Sequence, residues 1–512
     1  MSFTLPVLSA CCLLLLCVHV FFRPRRPPLP PSPPAKPFIG HLRIAPSSDF
    51  ETFFYKLGKA YGPVTHLNVL GRITVVINNL KAAVDLLDKR SANYSDRAPI
   101  SVVECMGWKN SLGFMPYGEP FQRHRRMFHQ YFNKEISTTY QPIQLREARL
   151  LAQNLAVDPS EREKYFKRFS TAIVMRITHG HEITADDDPF VNLVDEVGAA
   201  LTQAGRPGAT VLDFFPFLKY MPAWFPGTFY ARFARENVQK VRDAYDYPFN
   251  QVKEQMAQGT ARPSIVATQL EGFNNQAADH KVSYDLDDIK GMAVTCYVAG
   301  TESTSSALSI FLLAMVLYPQ CQLKAQEELD AVIGRGRLPE FSDRASLPYL
   351  ESLLHETLRW NHPVPTAVPH RVLEDDVYEG MFIPKGSVVV PNIRGMTWDE
   401  DVYADPFSFD PTRFSPKPIG RGEPLPGGTW GFGRRICPGR YFADASLWIA
   451  MATMLHTLHM SKDVDNDGKE ITPQVTFTTS LASRPSPFPC RIRPRSAAML
   501  SLLQQADTSD NY

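Results

Sequence analysis

Hydrophobic positions recur at helical spacing over most of the chain. Segments such as LKAAVDLLDKR, within residues 81–168, place apolar side chains three and four positions apart, which favours amphipathic helices. Residues 286–318 contain a longer apolar run and predict a long buried helix. The stretch SLPYLESLLHETLRWNHPVP predicts another helix, ended by Pro363.

Strands are predicted at two places. Residues 63–79 alternate between apolar and polar positions and are rich in β-branched side chains, with Gly71 at a turn, so they predict a hairpin. Residues 377–393 predict two further strands joined by a turn at residues 384–386. The pattern as a whole predicts a mainly α (α+β) domain with a minor β-sheet over residues 41–512.

The N-terminal residues differ from this domain. Residues 5–22 contain no Asp, Glu, Lys or Arg, and at ~1.5 Å per residue they just reach across the ~30 Å hydrocarbon core of a bilayer. We therefore interpret residues 1–22 as a transmembrane anchor and the basic, proline-rich residues 23–40 as an extended hinge. A cleaved signal peptide is the alternative. Against it, the arginines follow the apolar run and no small-x-small site separates them.

The charges that flank the apolar run set the expected topology. Because positive residues stay on the cytoplasmic side, we expect a single-pass protein of the endoplasmic reticulum membrane with its main domain in the cytosol. Residues 214–227, FFPFLKYMPAWFPG, form an aromatic segment broken by prolines. This segment is either a buried connection or a surface that dips into the lipid.

Composition narrows the function classes. Lys and Arg number 54 and Asp and Glu 53, so the formal net charge of +1 gives no electrostatic argument for a nucleic acid partner. Hydrophobic residues make up 44% of the chain, which fits a globular protein with a large core. The 8 cysteines show no C-x-x-C spacing, which argues against a zinc site or a disulfide scaffold. A reducing compartment fits this cysteine usage.

One cysteine, Cys437, lies in the glycine- and arginine-rich stretch WGFGRRICPGRYFADA. Adjacent positive charge is expected to lower the pKa of its thiol and so to favour the metal-binding thiolate. The charges come from Arg434, Arg435 and Arg440. A helix is predicted to begin at Pro438 or Gly439, where its N-terminal amides would stabilise negative charge on the sulfur. From the residues alone, an iron-bound thiolate and a buried inert cysteine both stay open.

The segment WGFGRRICPG resembles the haem-binding signature of cytochrome P450, F-x-x-G-x-R-x-C-x-G. Gly433, Arg435, Cys437 and Gly439 match it, and Trp430 stands where the family usually has phenylalanine. The resemblance implies that Cys437 is the axial ligand of the iron of haem b, and that Arg435 pairs with a haem propionate. Trp430 would keep an aromatic wall near the sulfur, and we hypothesise that its indole N–H hydrogen-bonds the sulfur.

Two other segments resemble motifs of the same family. ETLR supplies Glu356 and Arg359, and FDPTRF supplies Arg413. The resemblance implies that these three form a buried cluster that fixes the core behind the haem. A solvated surface pair is the alternative interpretation of the ETLR spacing. The resemblance also places His370, in AVPHRVLEDD, at a haem propionate.

A further segment, YGEPFQRHRRMF, resembles the helix that carries the family motif W-x-x-x-R. Arg125 matches the arginine and is expected to bind a propionate, whereas Phe121 stands where tryptophan is usual. The hydrogen bond of the usual indole must therefore be absent. An ordinary basic helix face is the alternative for this segment.

The centre of the long apolar helix is unusual because a glycine and a block of hydroxyl residues interrupt good helix formers. Its sequence AGTEST resembles the family motif A-G-x-[DE]-T-[ST]. The resemblance implies that Gly300 opens space for O2 and that Glu302 and Ser303, in the place of the usual threonine, relay protons. Thr304 could share that role. Hydroxyl groups that bond back to helix carbonyls are the alternative.

Together the matches cover essentially the whole chain and imply a fungal-type microsomal cytochrome P450 monooxygenase of class II. Such an enzyme takes NADPH-derived electrons from cytochrome P450 reductase, with cytochrome b5 as a further candidate donor. It activates O2 on haem and inserts one oxygen atom into an apolar or amphipathic small molecule. The implied context is secondary metabolism, with a terpenoid favoured over polyketide and indole substrates. An O2-independent haem-thiolate isomerase or dehydratase and a non-catalytic haem-binding protein are the alternatives.

The same resemblance places the substrate pocket over the haem. Its walls are expected from residues 100–117, 214–224, 296–303, 364–368 and 479–481. Near the C-terminus, LASRPSPFPCRIRPRS resembles fungal microsomal members of the family.

Overall fold

Helices make up most of the described chain. The computed structural model describes residues 26–46, 48–185, 188–205, 210–275, 284–478 and 481–509. The predicted transmembrane anchor, residues 1–22, lies outside them. The α-helices are α1 (Phe50–Tyr61), α2 (Leu80–Ala83), α3 (Ser91–Tyr94), α4 (Ser101–Met106), α5 (Glu119–Phe132), α6 (Lys134–Thr138), α7 (Gln141–Val157), α8 (Arg162–His179), α9 (Pro189–Gln203), α10 (Val211–Phe214), α11 (Phe229–Ala257), α12 (Ile265–Asn275), α13 (Leu286–Leu317), α14 (Pro319–Val332), α15 (Pro348–Trp360), α16 (Ile393–Thr397), α17 (Arg440–Thr457) and α18 (Ala497–Ser509).

The longest helix, α13, runs through the core. A capping box closes its first turn, because the Asp285 carboxylate accepts a hydrogen bond from the Asp288 N–H (2.7 Å) and the Asp288 carboxylate accepts one from the Asp285 N–H (3.1 Å). The helix ends just before Pro319, since the residue that precedes a proline disfavours helical geometry. Helices α8 and α17 pack along it. The helix predicted over residues 286–318 is confirmed.

Helix α13 is also long and apolar enough to cross a membrane, the one such helix in the described part of the chain. However, 78% of its most apolar window is buried inside the protein. Burial of this extent is typical of a core helix in a large domain, where neighbouring elements of the protein already shield the apolar side chains from water.

The strands form three small sheets within the described residues. They are β1 (Val64–Val69), β2 (Arg72–Ile77), β3 (Asp96–Arg97), β4 (His370–Arg371), β5 (Asp376–Tyr378), β6 (Met381–Ile383), β7 (Val388–Pro391), β8 (Leu458–Val464), β9 (Glu470–Ile471) and β10 (Cys490–Pro494). The five-stranded sheet has the order β1-β2-β7-β4-β3, and the other two have the orders β10-β8-β9 and β5-β6. This mainly helical fold with small sheets is the predicted fold class.

The hairpin predicted over residues 63–79 is confirmed as β1 and β2. The two strands are antiparallel, with Val64 opposite Ile77 and Val69 opposite Arg72. The turn residues Leu70 and Gly71 both have positive φ (49° and 85°), the conformation that a tight two-residue turn between twisted strands needs.

The second pair of predicted strands is arranged differently from the expectation. Strands β6 and β7 exist on either side of the turn at residues 384–386, but they do not pair with each other. Strand β6 pairs with β5 through a turn at Glu379 and Gly380, and β7 lies between β2 and β4. The physical reason is burial, because every residue of β7 is buried and its two edges are occupied by strands distant in sequence.

The described part of the predicted hinge, residues 26–40, is docked on the domain rather than standing off from it. The carbonyl of Pro31 accepts a hydrogen bond from the His66 N–H (3.1 Å), and that of Pro28 accepts one from the Phe382 N–H (2.7 Å). Prolines lack an N–H but keep the carbonyl acceptor, so an extended proline-rich chain can still bond to donors beside it.

A buried ion cluster joins α15 to the segment that leads toward Cys437. The carboxylate of Glu356 receives Nε of Arg359 at 2.6 Å and Nε of Arg413 at 3.0 Å, and all three side chains are 0% exposed. The remaining guanidinium N–H groups donate to backbone carbonyls and to Glu423. The surface-pair alternative for the ETLR motif is therefore wrong.

We expect Glu356→Gln to lower the free energy of unfolding by about 3–5 kcal/mol, because two buried guanidinium groups would lose the charge they share. Denaturant unfolding of the haem-loaded protein, followed by circular dichroism, measures the change. The matched control is Glu400→Gln, which removes an exposed carboxylate 3.0 Å from Lys59 and should leave stability nearly unchanged. Equal effects of the two substitutions would contradict a role for the buried cluster.

Candidate active site

A largely apolar cavity of about 370 Å³ lies between α13 and the loop that contains Cys437. Its walls come from residues 108–114, 121–132, 174–178, 198–202, 295–307, 358–370, 428–447 and 481–482, together with Arg97 and Ile393. Side chains from both ends of the sequence therefore meet at one enclosed space, which is where a large protein places a ligand.

Most of the predicted pocket segments contribute to this cavity, with one correction. Residues 214–224 contribute no lining side chain. They face outward instead, since Phe217, Tyr220 and Trp224 are 53%, 75% and 81% exposed. Residues 201–202 of α9, which were not predicted, also line the cavity. Of the predicted segment 479–481, Leu481 lines the cavity, and residues 479 and 480 lie outside the described part of the chain.

Cys437 lies on the cavity wall at the start of α17. Its backbone N–H donates to the carbonyl of Trp430 (2.7 Å), which closes the loop, and the backbone amide of Gly439 lies near its thiol and favours the thiolate. The helix begins at Arg440 with Gly439 as its N-cap, slightly later than predicted. An amide directed at the sulfur is the arrangement expected of a site that holds a thiolate.

The pKa of the Cys437 thiol departs from the expected direction. Burial raises it, although the Gly439 amide, Arg125 and Arg440 each oppose that rise. Two of the three arginines near it in sequence turn away. Arg434 donates to Tyr117, and Arg435 donates to backbone carbonyls. The protein alone therefore keeps this group a thiol, and coordination to a metal ion would deprotonate it.

Trp430 and Cys437 are joined through the backbone only. The indole N–H of Trp430 makes no hydrogen bond to Sγ of Cys437 in the described structure, so the hypothesis of a direct bond to the sulfur is not supported. Trp430 does line the cavity, as an aromatic wall would.

Glycine suits positions 433 and 439, on either side of Cys437, for different physical reasons. Gly433 has φ +51°, and a Cβ there would lie 2.1 Å from the carbonyl oxygen of Leu87, so no side chain fits. Gly439 has an ordinary φ of −90°, and no protein atom lies within 4 Å of the position its Cβ would take. Because Gly439 lines the cavity beside the thiol, this space suits the flat edge of a macrocycle.

A second wall of the cavity carries an excess of buried positive charge. Arg97 and Arg435 donate to backbone carbonyls and meet only one nearby carboxylate, Asp96, which is already paired with Arg371. Burial is the main reason that the pKa of Arg97 lies well below its usual range, and the positive charge of Arg435 lowers this pKa further. Burial also lowers the pKa of Arg435, to about 10.

Two more predicted residues belong to this wall. Nδ1 of His370 lies 2.7 Å from the carbonyl oxygen of Tyr94. Burial is the main cause that holds the His370 pKa well below its usual range, and the positive charge of Arg97 adds to it. Arg125 donates to the carbonyl of Ile436 (2.6 Å), and burial lowers its pKa. Such a wall fits a dianionic group, since carboxylates would neutralise cations that the protein leaves uncompensated.

Phe121 takes part in this wall through its ring. The guanidinium carbon of Arg435 lies 3.7 Å from the ring centroid, within the range of a cation–π contact. The ring therefore fixes the arginine, although it offers no donor to a ligand. The alternative for this segment, an ordinary basic helix face, does not describe Phe121 or Arg125, because both line the cavity.

The structure thus fits haem on three counts: a thiol with an amide directed at it, open space at Gly439, and a wall of cations without counter-charges. Cys437 could hold the iron, and Arg97, Arg125, Arg435 and His370 could hold the propionates. The five described cysteines are free thiols, and no group of three metal-binding side chains was found within the described residues.

The opposite wall is the middle of α13. Ser303 donates to the carbonyl of Ala299 (2.8 Å), the local bond of the alternative interpretation, yet both Ser303 and Thr304 also line the cavity. The Thr304 hydroxyl makes no hydrogen bond to a described residue. A Cβ on Gly300 would lie 3.1 Å from Cγ2 of Val174, so this glycine also allows α8 to approach closely.

Glu302 lies at the edge of the cavity, against two other helices. Its Oε1 is 4.0 Å from Nζ of Lys167 on α8, and Lys167 is paired with Asp195 of α9 at 2.6 Å. A Cβ on Gly198 of α9 would lie 2.7 Å from the same Oε1, so the missing side chain provides the room for the carboxylate.

Sequence reasoning did not identify Arg97, Lys167 or Gly198. Arg97 follows an aspartate in a two-residue strand, and the other two lie on ordinary amphipathic helices. Their positions depend on contacts between distant segments, for which the local sequence carries no signal. Only the burial of Arg97 distinguishes it from a surface arginine.

Comparisons with known proteins agree with this geometry. The family model for cytochrome P450 matches residues 30–488. The chain is 39% identical to cytochrome P450 monooxygenase 136 of Postia placenta, over 98% of this chain and 96% of the relative. It is 37% identical to cytochrome P450 monooxygenase claR of Ampulloclitocybe clavipes, over 91% and 87% of the two chains. It is 36% identical to tryptamine 4-monooxygenase of Psilocybe cyanescens, over 93% and 94%.

We expect Arg97→Leu to weaken haem retention, because one of the buried cations would be lost from the wall. Transfer of haem to apomyoglobin should be about tenfold faster than from the parent, which corresponds to ~1.4 kcal/mol. The matched control is Arg434→Leu, since the Arg434 side chain lies nearby but donates to Tyr117. Transfer rates that are equal in the two variants would show that Arg97 does not hold the group.

Proposed function

The chain belongs to the cytochrome P450 family, and from that premise we propose that it is an endoplasmic-reticulum-anchored enzyme of fungal secondary metabolism. Its relatives are named monooxygenases, so the chain is an oxidoreductase of that type. The proposal concerns the residues that act, the electron donor, the membrane and the class of substrate. One observation carries it: Cys437 and residues 299–304 of α13 line the same apolar cavity.

A haem bound through Cys437 supplies the activation of O2 and the transfer of one oxygen atom to the substrate. The protein holds this group with the cations of one wall and excludes bulk water with the apolar residues of the others. Arg97, Arg125 and Arg435 would neutralise the propionates, and His370, whose pKa lies well below its usual range, would offer a hydrogen bond rather than a charge. Glu356, Arg359 and Arg413 act indirectly, since they fix the segment that presents Cys437.

Protons reach the cavity from the side of α8 and α9. Glu302 lies between Lys167 and the cavity, so its carboxylate can take a proton from the solvent side and release it inward. The Ser303 hydroxyl donates to Ala299 and can accept from a water molecule, and the Thr304 hydroxyl has no partner among the described residues. The two hydroxyls give the relay alternative routes.

The proposed electron donor is NADPH-cytochrome P450 reductase, with cytochrome b5 as a further candidate. A groove of about 340 Å³ lies beside Pro438, the residue after Cys437, and its wall includes Arg125, His129, Lys134 and Arg440 together with one carboxylate, Glu135. The excess of basic groups in this wall suits an acidic partner protein that delivers electrons at short distance.

The proposed membrane contact joins the predicted anchor, residues 1–22, to the exposed aromatic segment. Trp224 and Tyr220 are exposed, and Lys219 lies beside them, a composition that suits the interface of a bilayer. Phe38, near the start of the described chain, is 98% exposed. The observed exposure favours the lipid-dipping interpretation of residues 214–227 over a buried connection.

The apolar cavity supports an apolar or amphipathic substrate. Glu302 is the one carboxylate among the described lining residues, so a strongly cationic substrate finds little counter-charge. The family resemblance favours a terpenoid, and polyketide and indole scaffolds are the alternatives. One relative is named for tryptamine, an indole. The pair Glu302 and Ser303 favours O2 chemistry over an isomerase or dehydratase.

The test reconstitutes the full chain with the reductase in lipid vesicles and screens terpenoid and indole compounds under ¹⁸O2. Product should require both NADPH and O2 and should carry one ¹⁸O atom. Ser303→Ala should raise the peroxide released per molecule of product, because the proton relay is interrupted. Thr304→Ala is its matched variant, and an effect confined to that variant would assign the relay to Thr304. Product formed without O2 would contradict the proposal.

Gly198→Ala separates catalysis from stability. The added methyl group would displace the Glu302 carboxylate, so the peroxide released per product should rise as it does in Glu302→Gln. Thermal stability should be unchanged or slightly higher, because alanine is favoured over glycine within a helix by about 0.5–1 kcal/mol. Calorimetry and coupling measurements on the same sample check both parts. Unchanged coupling would show that the position of Glu302 is unimportant.

A further inference from the structure

One buried donor on the cavity wall has no partner within the described part of the chain. Trp108 is 1% exposed and lines the cavity, and its indole Nε1 makes no hydrogen bond to any described residue. A buried N–H without an acceptor is costly, because it has left water and gained nothing in return. At the edge of a cavity, a ligand can supply that acceptor.

The turn that carries Trp108 packs beside the first part of α13, away from the middle of that helix. Trp108 begins the turn 108–110, in which the Asn110 carbonyl oxygen lies 2.4 Å from where a Gly291 Cβ would be. Gly291 and Gly300 are nine residues apart on α13, which corresponds to about 14 Å along the helix axis. A molecule that reaches from Trp108 toward Ser303 therefore spans most of the cavity.

The other polar groups that line this end of the cavity are already paired. Thr295 donates to the Gly291 carbonyl (2.7 Å) and lies 3.2 Å from the hydroxyl of Ser111, so neither hydroxyl competes for the same ligand atom. Tyr245 packs its ring against Trp108, with centroids 6.1 Å apart, and its buried hydroxyl also has no partner among the described residues, but Tyr245 does not line the cavity. The N–H of Trp108 is thus the available donor on this part of the wall.

The charges nearby favour a neutral acceptor. The pKa of the Tyr245 hydroxyl, beside Trp108, is raised mainly by burial and further by the negative charge of Asp287. Lys290, on the same helix as Asp287, is paired with Asp246 at 2.6 Å. A carboxylate would be repelled here, and a carbonyl or hydroxyl oxygen would not.

We propose that the indole N–H of Trp108 donates a hydrogen bond to a neutral carbonyl or hydroxyl oxygen of the substrate, at the end remote from Cys437. The bond fixes which carbon faces the oxygen-activating wall, so Trp108 is a specificity-determining residue. This inference rests on the proposed monooxygenase function. It also places the enzyme after a reaction that has already given the scaffold an oxygen atom, because a plain hydrocarbon has no acceptor for this donor.

The test uses imidazoles that carry linear tails of increasing length, with each tail ending in either an acetyl or an isopropenyl group. The imidazole nitrogen binds haem iron, so every probe is anchored whatever the natural substrate, and the two end groups differ chiefly in the acceptor oxygen. Binding is measured on the haem-loaded full chain from the shift of the haem absorption band. At one tail length or more, the acetyl probe should bind about tenfold tighter than its isopropenyl partner.

Trp108→Phe should return that ratio to about one, because it removes the N–H and keeps an aromatic ring. The matched control is Trp448→Phe, whose indole is equally buried and unpartnered but does not line the cavity, and it should keep the full preference. A ratio that is unchanged in Trp108→Phe overturns the proposal. So does a parent enzyme with no acetyl preference at any length, which decides the matter even if the variant fails to fold.

Failure of the underlying function has a different signature. If the parent protein shows no absorption shift with any imidazole, the haem-thiolate function itself is wrong and the inference falls with it. If the shifts are present but the acetyl and isopropenyl probes bind equally, only the role of Trp108 is wrong.

Discussion

The arrangement of the site depends on one buried carboxylate. Glu356 accepts hydrogen bonds from Arg359 of its own helix and from Arg413 in a segment 57 residues further along, with all three side chains excluded from water. Burial of charge is favourable only when the charges are fully paired, so this cluster tolerates very few alternative arrangements of the chain. Since the chain passes from Arg413 toward the loop of Cys437, the pairing also limits where the thiol can lie.

The cavity wall differs from this cluster, because its buried cations are not paired with carboxylates of their own. Arg97 and Arg435 are buried but share a single nearby carboxylate, which already serves Arg371. The ions of the Glu356 cluster are thus fully paired, whereas Arg97 and Arg435 have little counter-charge within the described residues. A dianionic cofactor removes that imbalance, so part of the affinity for it is stored as unfavourable electrostatics in the protein that surrounds the site.

The sequence was sufficient to predict those features that depend on interactions between residues close to each other in the chain. The hairpin of β1 and β2 and the long helix α13 follow from period, turn residues and capping, and the structure confirms them. The pairing of β6 and β7 could not be predicted, because their partners lie far away in the sequence. Cys437 could be identified from its signature, yet the direction of its pKa could not, since burial outweighs the adjacent positive charge. Arg97 and Gly198 matter only through contacts that the fold creates.

The same distinction explains how catalysis and specificity are divided along α13. Near its middle, the unusual residues 300–304 give a signal in the sequence, because glycine and hydroxyl groups conflict with helix propensity. Toward its beginning, Gly291 and Thr295 are used to seat the turn of Trp108, and nothing in their sequence marks them as functional. Chemistry common to a family needs particular residues and leaves a pattern. Recognition of one substrate needs only a donor in the right place, and tertiary structure alone reveals it.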